Sequence, residues 1–408
     1  MEMLATKVEK TSEVLTNIGI QPNGGMTRLL YTEEWLEAQN YLLDLFEKSG
    51  LEAYSDDIGN IYGRLEGTEF PNEVIMSGSH IDTVVNGGNL DGQFGIEAAY
   101  LAIQHLNEKY GAPKRTLEVV SLAEEEGSRF PYVFWGSKNI VGIANNDDVA
   151  SLKDSNGIGF VEAMRQCGFD FATDKTQRKD ISAFIELHIE QGKVLETEGK
   201  ALGVVTSIAG QRRYNITLKG EANHAGTTPM GYRKDTVYAF SKMCSQSIEK
   251  AEKQGDPLVI TFGKVQPKPN TVNVVPGDIL FTMDCRHTDK ETLINFSSEI
   301  ESDIRRISAE MGIECEIDMW MDETPIPMDP KLVDLIETTL SENGANYKRM
   351  HSGAGHDSQV FAPRIPTGMI FIPSIAGVSH NPAESTQLSD LTAGVEALID
   401  VLYELAYK

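Results

Sequence analysis

The sequence predicts an α/β protein whose main domain is interrupted by an inserted α+β domain. With 408 residues, the chain is too long for one hydrophobic core of ordinary size, so two domains are expected. Strands and helices alternate in the first half of the chain and again near its end, as in a sheet with parallel members. Between them the order becomes strand, helix, strand, strand, helix, strand, the split βαβ pattern of a ferredoxin-like layer. We therefore expect one discontinuous domain at 1–210 and 325–408, and an inserted domain at 211–324.

The first clear element of the main domain is a helix that follows Thr32. Thr32 can cap its N-terminus, Glu33 and Glu34 suit the positive end of its dipole, and Gly50 ends it. Its apolar face is supplied by Trp35, Leu42, Leu45 and Phe46. The other elements predicted for this domain are strands at 73–76, 116–122, 181–187 and 369–372, and a helix at 93–106.

The inserted domain begins with a stretch at 213–219 that alternates in polarity, as a half-exposed strand does. The elements predicted after it are a helix at 234–254, strands at 258–265 and 279–286, a helix at 290–311 and a strand at 314–320. This order is the basis for the ferredoxin-like layer.

Composition and charge exclude several classes of partner. The formal charge of −25 and the isoelectric point near 4.7 describe a surface that repels phosphate backbones and anionic lipid, so neither nucleic acid nor a membrane surface is expected. The N-terminal segment lacks the apolar run of a signal peptide, and no segment approaches the ~20 apolar residues that span a bilayer. The four cysteines lack CxxC spacing, which argues against disulfides and a thiolate metal site. A cytoplasmic location is expected.

Histidine and carboxylate side chains recur just after the predicted strands. The strand at 73–76 leads into Gly78-Ser-His80-Ile-Asp82, in which His80 and Asp82 point the same way on an extended chain. A carboxylate beside a metal-binding histidine commonly fixes its tautomer and orientation. Taken alone, this pair is equally typical of a structural contact.

Two acidic segments lie in similar places. Asp91 sits among glycines directly before the helix at 93–106, where a helix-capping role is the simpler interpretation. Glu124, Glu125 and Glu126 follow the strand at 116–122, at the strand end where α/β sheets bind ligands. Three adjacent carboxylates repel one another and are costly at a buried strand end unless cations balance them, although a solvated loop is the alternative.

Two further histidines complete the pattern. His188 lies in Glu186-Leu-His188-Ile-Glu190 at the end of an apolar strand, and His380 follows the last predicted strand. The candidate ligands near strand ends are thus His80, Asp91, a glutamate of 124–126, His188 and His380. A mixture of nitrogen and oxygen ligands without thiolate suits Zn²⁺ or Mn²⁺ rather than a closed structural zinc site.

Seven motifs resemble, in order, those of the metal-dependent amidase and carbamoylase family, the hydantoinase/carbamoylase type. They are GSHIDTVVNGGNLDGQFG, AEEEGSRF, ELHIEQG, NHAGTTPM, NTVNVVPG, GAGHD and SHNPAE. The resemblance runs from the segment MTRLLYTEEWL to the C-terminus. It implies a two-metal, aminopeptidase-like catalytic domain, an inserted domain that acts in dimerisation and as a lid, and a homodimer.

The resemblance also implies an activity, the metal-dependent hydrolysis of a ureido C–N bond. Allantoate is the substrate it favours, with ureidoglycine, ammonia and carbon dioxide as products in purine nitrogen catabolism. N-carbamoyl-L-amino acids and beta-ureidopropionate, the substrates of neighbouring family members, are the alternatives. A non-catalytic binding module on the same fold is a further alternative, but such proteins tend to lose the base or a metal ligand. Two divalent ions per subunit, Mn²⁺ or Zn²⁺, are the implied cofactors.

The metal ligands are carried over from the family residue by residue. Asp91 would bridge the two ions, and His80 and His380 would complete the shell of one of them. Glu126 and His188 are the remaining ligands, and which of them joins which ion stays open.

Catalytic roles follow from the same resemblance. Asp82 would orient His80, and Glu125 would act as the general base rather than as a ligand. His224, in the inserted domain, would stabilise the oxyanion and in this family comes from the partner subunit.

Four side chains are implied to bind the substrate besides His224. Arg286 and Asn273 would hold the substrate carboxylate, for which a guanidinium offers a bidentate clamp. Gln211 and His356 are expected to touch the substrate as well. Because these groups come from two domains, a hinged closure near residues 210 and 325 is expected.

Overall fold

The structure is a computed structural model that describes residues 2–174 and 176–408. The chain divides into two compact units, one formed by Met1–Thr206 with Met328–Lys408 and the other by Ser207–Pro327. The insertion predicted at 211–324 falls within the second unit. In the described part of the chain, every helix is too short or too polar to cross a membrane.

The predicted first helix is confirmed, since a helix begins at Glu33 where the Thr32 side chain accepts a hydrogen bond from the backbone N–H of Trp35. It ends at Lys48, just before Gly50, whose φ of +87° no helix can continue. In chain order the helices are α1 (Glu2–Asn17), α2 (Glu33–Lys48), α3 (Gln93–Tyr110), α4 (Trp135–Ile140), α5 (Asn146–Ala150), α6 (Phe160–Gln166), α7 (Val194–Glu198), α8 (Thr236–Gln254), α9 (Lys290–Glu310), α10 (Pro330–Glu342), α11 (Ser358–Phe361) and α12 (Leu388–Ala406), with 3₁₀ turns at Met230–Tyr232 and Ile375–Gly377.

Apart from the strand predicted at 258–265, each predicted strand is covered by an observed one, and most are extended. In chain order they are β1 (Glu52–Ser55), β2 (Ile61–Leu65), β3 (Phe70–His80), β4 (Arg115–Leu122), β5 (Ile181–Ile189), β6 (Leu202–Ile208), β7 (Gly210–Lys219), β8 (Asn223–His224), β9 (Val259–Thr261), β10 (Val265–Lys268), β11 (Val274–Val275), β12 (Asp278–His287), β13 (Glu314–Glu323), β14 (Ile326–Pro327), β15 (Tyr347–Ser352) and β16 (Thr367–Ile372).

The first unit is built on a mixed sheet with the strand order β1-β2-β4-β3-β5-β16-β6. Its centre is parallel, because β3 pairs in parallel with β4 and β5, and β5 pairs in parallel with β16. The flanking strands β2 and β6 run antiparallel to β4 and β16. The carboxyl ends of β3, β4, β5 and β16 therefore lie along one edge of the sheet, which is where open α/β sheets bind ligands.

Helix α3 packs closely against this parallel centre. A Cβ atom at Gly95 would lie 2.4 Å from the carbonyl oxygen of Leu187 in β5 and 2.8 Å from the Cβ of Ser79 in β3. Only a glycine allows this approach. The close packing brings the turn before α3, with Asp91, to the carboxyl ends of β3 and β5.

The second unit contains a sheet with the order β10-β12-β7-β13, and β9 pairs with the other end of β12. In chain order the first strand of this sheet is β7, the second is formed by β9 and β10, the third is β12 and the fourth is β13. The strands therefore lie in the order second, third, first and fourth, which is the order of a split βαββαβ layer. Its core consists of sheet residues such as Tyr214 and Phe281 packed with residues of α8 and α9 such as Met243 and Ile300.

The single strand predicted at 258–265 is wrong, because two strands occupy this stretch. β9 pairs with 284–286 of β12, whereas β10 pairs with 278–281. Between them, the backbone N–H of Lys264 donates to the side-chain hydroxyl of Thr282 and not to a backbone carbonyl of β12. The break is a local irregularity at Gly263, and a glycine inside a strand often marks such a site.

Candidate metal centre

Five predicted ligands meet at the carboxyl edge of the parallel strands. His80 is the last residue of β3, and His188 lies one residue before the end of β5. Asp91 precedes α3, Glu126 lies in the loop after β4, and His380 lies in the loop after β16. These side chains form two groups of possible ligands. The first group is His80, Asp91 and His188, and the second is Asp91, Glu126 and His380. Within each group the ligand atoms, one from each residue, lie within 4.8 Å of one another.

The first group is buried and centred on one oxygen of Asp91. The Nε2 atoms of His80 and His188 lie 3.6 Å and 3.1 Å from Asp91 Oδ1. The Nδ1 atom of His188 contacts the backbone carbonyl oxygen of Ile189 at 2.9 Å, which places the ring proton on Nδ1 and leaves the lone pair of Nε2 facing the group.

The second group is centred on the other oxygen of Asp91. The Nε2 atom of His380 lies 3.2 Å from Asp91 Oδ2 and 3.4 Å from Glu126 Oε1. The side chain of His380 is 47% exposed, whereas those of Asp91 and Glu126 are nearly buried. This grouping differs from the expectation that His80 and His380 share an ion, because β3 and β5 are neighbours and bring His80 to His188.

Asp82 contacts His80 in a way that the motif did not predict. The Nδ1 atom of His80 lies 3.0 Å from the backbone carbonyl oxygen of Asp82 and 3.6 Å from its Oδ1. The carboxylate of Asp82 instead accepts the backbone N–H groups of Glu125 and Glu126, each at 3.1 Å from Oδ2. Asp82 thus holds His80 through its main chain and the acidic loop through its side chain.

Gly92 is required where the first group is assembled. Its φ is +65°, and a Cβ there would lie 2.5 Å from the ring of His80. Its backbone N–H donates to Nε2 of His188 at 3.2 Å. A glycine between Asp91 and α3 therefore lets the main chain pass directly beside both imidazoles.

Glu125 lies beside the two groups but belongs to neither among the described residues. Its backbone N–H is fixed by Asp82, and its side chain is half-buried. Burial raises the pKa of its carboxyl well above the ordinary value, and the charge of Glu126 adds to this effect, although His80 opposes it. A carboxylate of this kind next to a cation site is suited to proton transfer.

The titratable groups of this centre perturb one another strongly. Burial raises the pKa of Glu126 to about 7, and the charge of Asp91 adds to the shift. Burial opposes ionisation of Asp91 as well, but the neighbouring imidazoles of His188, His380 and His80 hold its pKa well below the ordinary value. The hydrogen bond with Asp91 raises the pKa of His380 to about 9 against the effect of burial. Such clusters of shifted groups are typical of functional sites.

Three polar residues of this centre were missed from the sequence. Gln191 donates from Nε2 to Asp91 Oδ2 at 2.8 Å, and the Ser379 hydroxyl lies 2.9 Å from the same oxygen. Glu384 is buried and accepts the backbone N–H groups of Leu90 and Asp91. All three stand inside the motifs ELHIEQG and SHNPAE, so their closeness to His188 and His380 was the available signal.

His356 is buried and packs against His188 of the first group. Its ring is 4.5 Å from that of His188, centroid to centroid, and its Nε2 lies 2.9 Å from the Ser352 hydroxyl. Burial lowers the pKa of His356 well below the ordinary value, and the neighbouring His188 adds to this, so the ring is neutral.

In the second unit, Gln211 and Arg286 lie opposite each other on the antiparallel strands β7 and β12. Directly opposed residues share one face of a sheet. Arg286 donates from Nε and Nη2 to the two oxygens of Asp284, at 3.1 Å and 3.0 Å. Gln211 donates to Glu323 at 2.8 Å, and its buried Oε1 accepts no hydrogen bond within 2–174 and 176–408.

His224 and Asn273 form a second pair in the same unit. Strand β8 ends at His224, which pairs with Val274, and the carbonyl oxygen of Asn273 accepts the N–H of Ala225. The side chains of His224 and Asn273 are exposed. The N–H of Gly226 donates to Nδ1 of His224 at 3.0 Å, so the neutral ring carries its proton on Nε2, where it can be donated.

The donor set fits divalent metal ions. Each group offers nitrogen and oxygen ligands only, both groups share the carboxylate of Asp91, and cations would offset the repulsion among Asp82, Asp91 and Glu126. An α/β sheet with such a centre at its carboxyl edge is the arrangement of a metal-dependent hydrolase.

Comparison with known proteins agrees with this class. A model of the peptidase family M20/M25/M40 matches residues 76–404. The chain is 61% identical to the allantoate amidohydrolase of Escherichia coli (strain K12), over 98% of both chains. It is 48% identical to the allantoate amidohydrolase of Bacillus subtilis (strain 168), over 97% of this chain and 96% of the relative. The crystal structure of a hydantoinase/carbamoylase family amidase from Burkholderia multivorans matches with a TM-score of 0.95 at 30% identity, over 99% and 98% of the two chains.

The chain therefore belongs to the M20/M25/M40 peptidase family, and within it to the amidohydrolases that it matches over its full length. The family predicted from the seven motifs is thereby confirmed.

Proposed function

We propose that this protein hydrolyses the ureido C–N bond of allantoate and yields ureidoglycine, ammonia and carbon dioxide, in purine nitrogen catabolism. The observation that carries the proposal is the pair of ligand groups that share Asp91, with Glu125 beside them. The identity of 61% to a relative named for this activity supports the choice of substrate.

Two divalent ions, Mn²⁺ or Zn²⁺, are the proposed cofactors. His80, Asp91 and His188 would hold one ion, and Asp91, Glu126 and His380 the other. When bound, such ions supply Lewis acidity toward the substrate carbonyl and toward the attacking water.

Glu125 is the proposed general base and acid. Its carboxylate takes a proton from the attacking water and gives one to the leaving nitrogen. Asp82 supports this role because it fixes the backbone N–H of Glu125. His224, supplied by the partner subunit of the proposed homodimer, is the proposed donor to the oxyanion that forms at the carbonyl, through the Nε2 proton that its contact with Gly226 leaves in place.

Arg286, Asn273, Gln211 and His356 are the proposed substrate contacts. Arg286 is held by Asp284 in a planar arrangement that suits a carboxylate, and Gln211 lies opposite it on the same face of the sheet. Arg286 supplies local positive charge, which a chain of formal charge −25 needs to bind an anion.

We also propose that the second unit acts as the lid and dimerisation domain of a homodimer. Strand β13 pairs with β7 on one side only among the described strands, and it exposes Met319 and Trp320. Exposed apolar side chains on a sheet edge favour pairing with another chain. The four cysteines, all free, support the proposed cytoplasmic location.

The second candidate is the same chemistry on an N-carbamoyl-L-amino acid or on beta-ureidopropionate. It is favoured by the full-length match to an amidase of the hydantoinase/carbamoylase family at a TM-score of 0.95.

Ammonia release from the three substrates, after chelation and after addition of Mn²⁺ or Zn²⁺, tests the proposal. We expect allantoate to give the highest kcat/KM, chelation to abolish turnover and metal to restore it. Faster turnover of a carbamoyl compound would favour the second candidate. Metal binding without turnover of any of the three would indicate a binding module.

A further inference from the structure

Glu384 is a buried carboxylate that touches the turn carrying Asp91. It lies in the loop after β16, four residues beyond His380, and is only 6% exposed. Its Oε1 accepts the backbone N–H groups of Leu90 and Asp91 at 2.9 Å and 3.1 Å. One carboxylate oxygen thus fixes two successive peptide groups of a turn that is nearly 300 residues distant in the chain.

Ser379 links the same two segments through side chains. Its hydroxyl lies 2.8 Å from Glu384 Oε2 and 2.9 Å from Asp91 Oδ2. A hydroxyl has one proton and donates it to one acceptor at a time, so Ser379 lies between the two carboxylates and can donate to either of them.

Gly88 makes this approach possible. A Cβ atom at Gly88 would lie 2.1 Å from the carboxyl carbon and from Oε1 of Glu384. The turn at 87–91 and the loop at 379–384 therefore pack directly against each other at the Glu384 carboxylate. A residue larger than glycine at position 88 would displace that carboxylate.

The contacts of Glu384 favour the second ligand group over the first. Ser379 reaches Oδ2 of Asp91, the oxygen that faces His380, whereas Oδ1 faces His80 and His188. Glu384 also belongs to the loop that carries His380. The two histidines of the first group are held independently of Glu384, by their contacts with the backbone carbonyl oxygens of Asp82 and Ile189.

We propose that Glu384, with Ser379, is a positioning residue that sets the distance between Asp91 and His380 and thereby the affinity of the second ion. Its negative charge, buried next to Asp91, is costly in the protein alone and is offset when cations bind. The inference rests on the proposed two-metal centre.

The inference is tested by removing metal from the protein with a chelator and measuring rebinding. Calorimetry with Mn²⁺ and with Zn²⁺ gives the affinities, and the metal content per chain gives the number of ions bound. For Glu384→Ala we expect the affinity for the second ion to fall about 10- to 100-fold, the usual effect of losing a partner of a metal ligand, and that for the first ion to change less than about threefold. Glu384→Gln, which keeps one oxygen acceptor for the two N–H groups, should recover part of the loss, and Ser379→Ala should weaken the second ion alone.

Asp329→Ala is the matched control. Asp329 likewise accepts two backbone N–H groups, those of Lys331 and Leu332, and its own N–H donates to Thr367 at the first residue of β16, the strand end away from the ligands. This variant should bind both ions as the wild type does. Unchanged or equally weakened binding of both ions in Glu384→Ala and Ser379→Ala would overturn the inference. A wild type that binds fewer than two ions would instead overturn the metal centre itself.

Discussion

The Nδ1 atom of His80 lies 3.0 Å from the backbone carbonyl oxygen of Asp82, closer than the 3.6 Å to the carboxylate of the same residue. The carbonyl oxygen accepts the Nδ1 proton and leaves Nε2 as the candidate ligand atom. The carboxylate is then available to hold the backbone of Glu125 and Glu126. One residue therefore connects the first ligand group to the loop that carries the proposed base.

Asp82→Ala should separate these two functions. Because a backbone contact survives the substitution, we expect the ion held by His80, Asp91 and His188 to keep its affinity within about threefold. The loop at 124–126 loses its anchor, so kcat should fall about 10- to 100-fold, as is usual when such a partner is removed. Calorimetry and steady-state kinetics on the same preparation provide the measurement. Selective loss of the first ion would show that the carboxylate, and not the carbonyl, orients His80.

Glu125→Gln should leave the metal content unchanged and remove most of the turnover. Glutamine keeps the size of the side chain but cannot accept a proton, and general-base catalysis typically contributes about 10²- to 10⁴-fold. Glu126→Gln is the comparison, because Glu126 belongs to the second ligand group and its variant should lose an ion. Metal analysis beside an ammonia-release assay separates the two. A loss of metal in Glu125→Gln equal to that in Glu126→Gln would make Glu125 a ligand instead of the base.

The candidate ligands could be found from the sequence because His80 and His188 end apolar strands and Asp91, Glu126 and His380 lie in the loops near strand ends, whereas their grouping could not. His80 joins His188 because β3 and β5 are neighbours, and this order depends on pairings between residues about 100 positions apart. The sequence likewise predicted β3 only at 73–76. The strand continues to His80 because buried Ser77 and Ser79 donate to the carbonyl of Ile185 and the carboxylate of Glu186 in β5.

The contacts of Glu384 could not be predicted from the sequence either, because they too join residues that are distant in the chain. In the sequence its place near His380, in the motif SHNPAE, signals that it is close to the centre but not which groups it contacts. Its function depends on Leu90 and Asp91, which lie 294 and 293 positions away. The strand break at Gly263 had a local signal, because a glycine inside a strand often marks a bulge, but the two separate pairings of β12 could not be predicted locally.

Arg286→Lys should raise KM for allantoate about 10- to 100-fold with a smaller effect on kcat. Lysine keeps the charge but cannot present the planar pair of N–H groups that binds a carboxylate, and a charged hydrogen bond contributes about 1.5–3 kcal/mol. Arg213→Lys is the matched control, since Arg213 donates to the same Asp284 at 2.9 Å but is not a proposed contact. Steady-state kinetics of both variants decide the matter. A rise in KM that is equal in the two variants would assign the effect to Asp284 and not to the substrate.

Glu97 should make the first unit less stable as the pH rises from about 5 to neutral. It is buried in α3, where Ser12 and Gln93 donate to its carboxylate and Gln93 also accepts from Arg28. Burial raises the pKa of Glu97 from 4.5 to about 7, although both hydrogen bonds and the charge of Arg28 favour the ionised form. Tyr41 is the other titratable group that interacts with it.

The folded-state pKa of Glu97 lies above the unfolded one, so its contribution to stability is fully present below about pH 4.5 and is lost as the pH rises through about 7. Glu97→Gln keeps the neutral form at every pH. Between pH 5 and pH 8 the stability of the wild type should therefore fall relative to this variant by roughly 2–3 kcal/mol. Urea unfolding at both pH values measures the difference, with Glu9→Gln, an exposed glutamate of α1, as the control that should show none. If the gap between wild type and Glu97→Gln stays constant from pH 5 to pH 8, Glu97 is ionised throughout and Arg28 outweighs its burial.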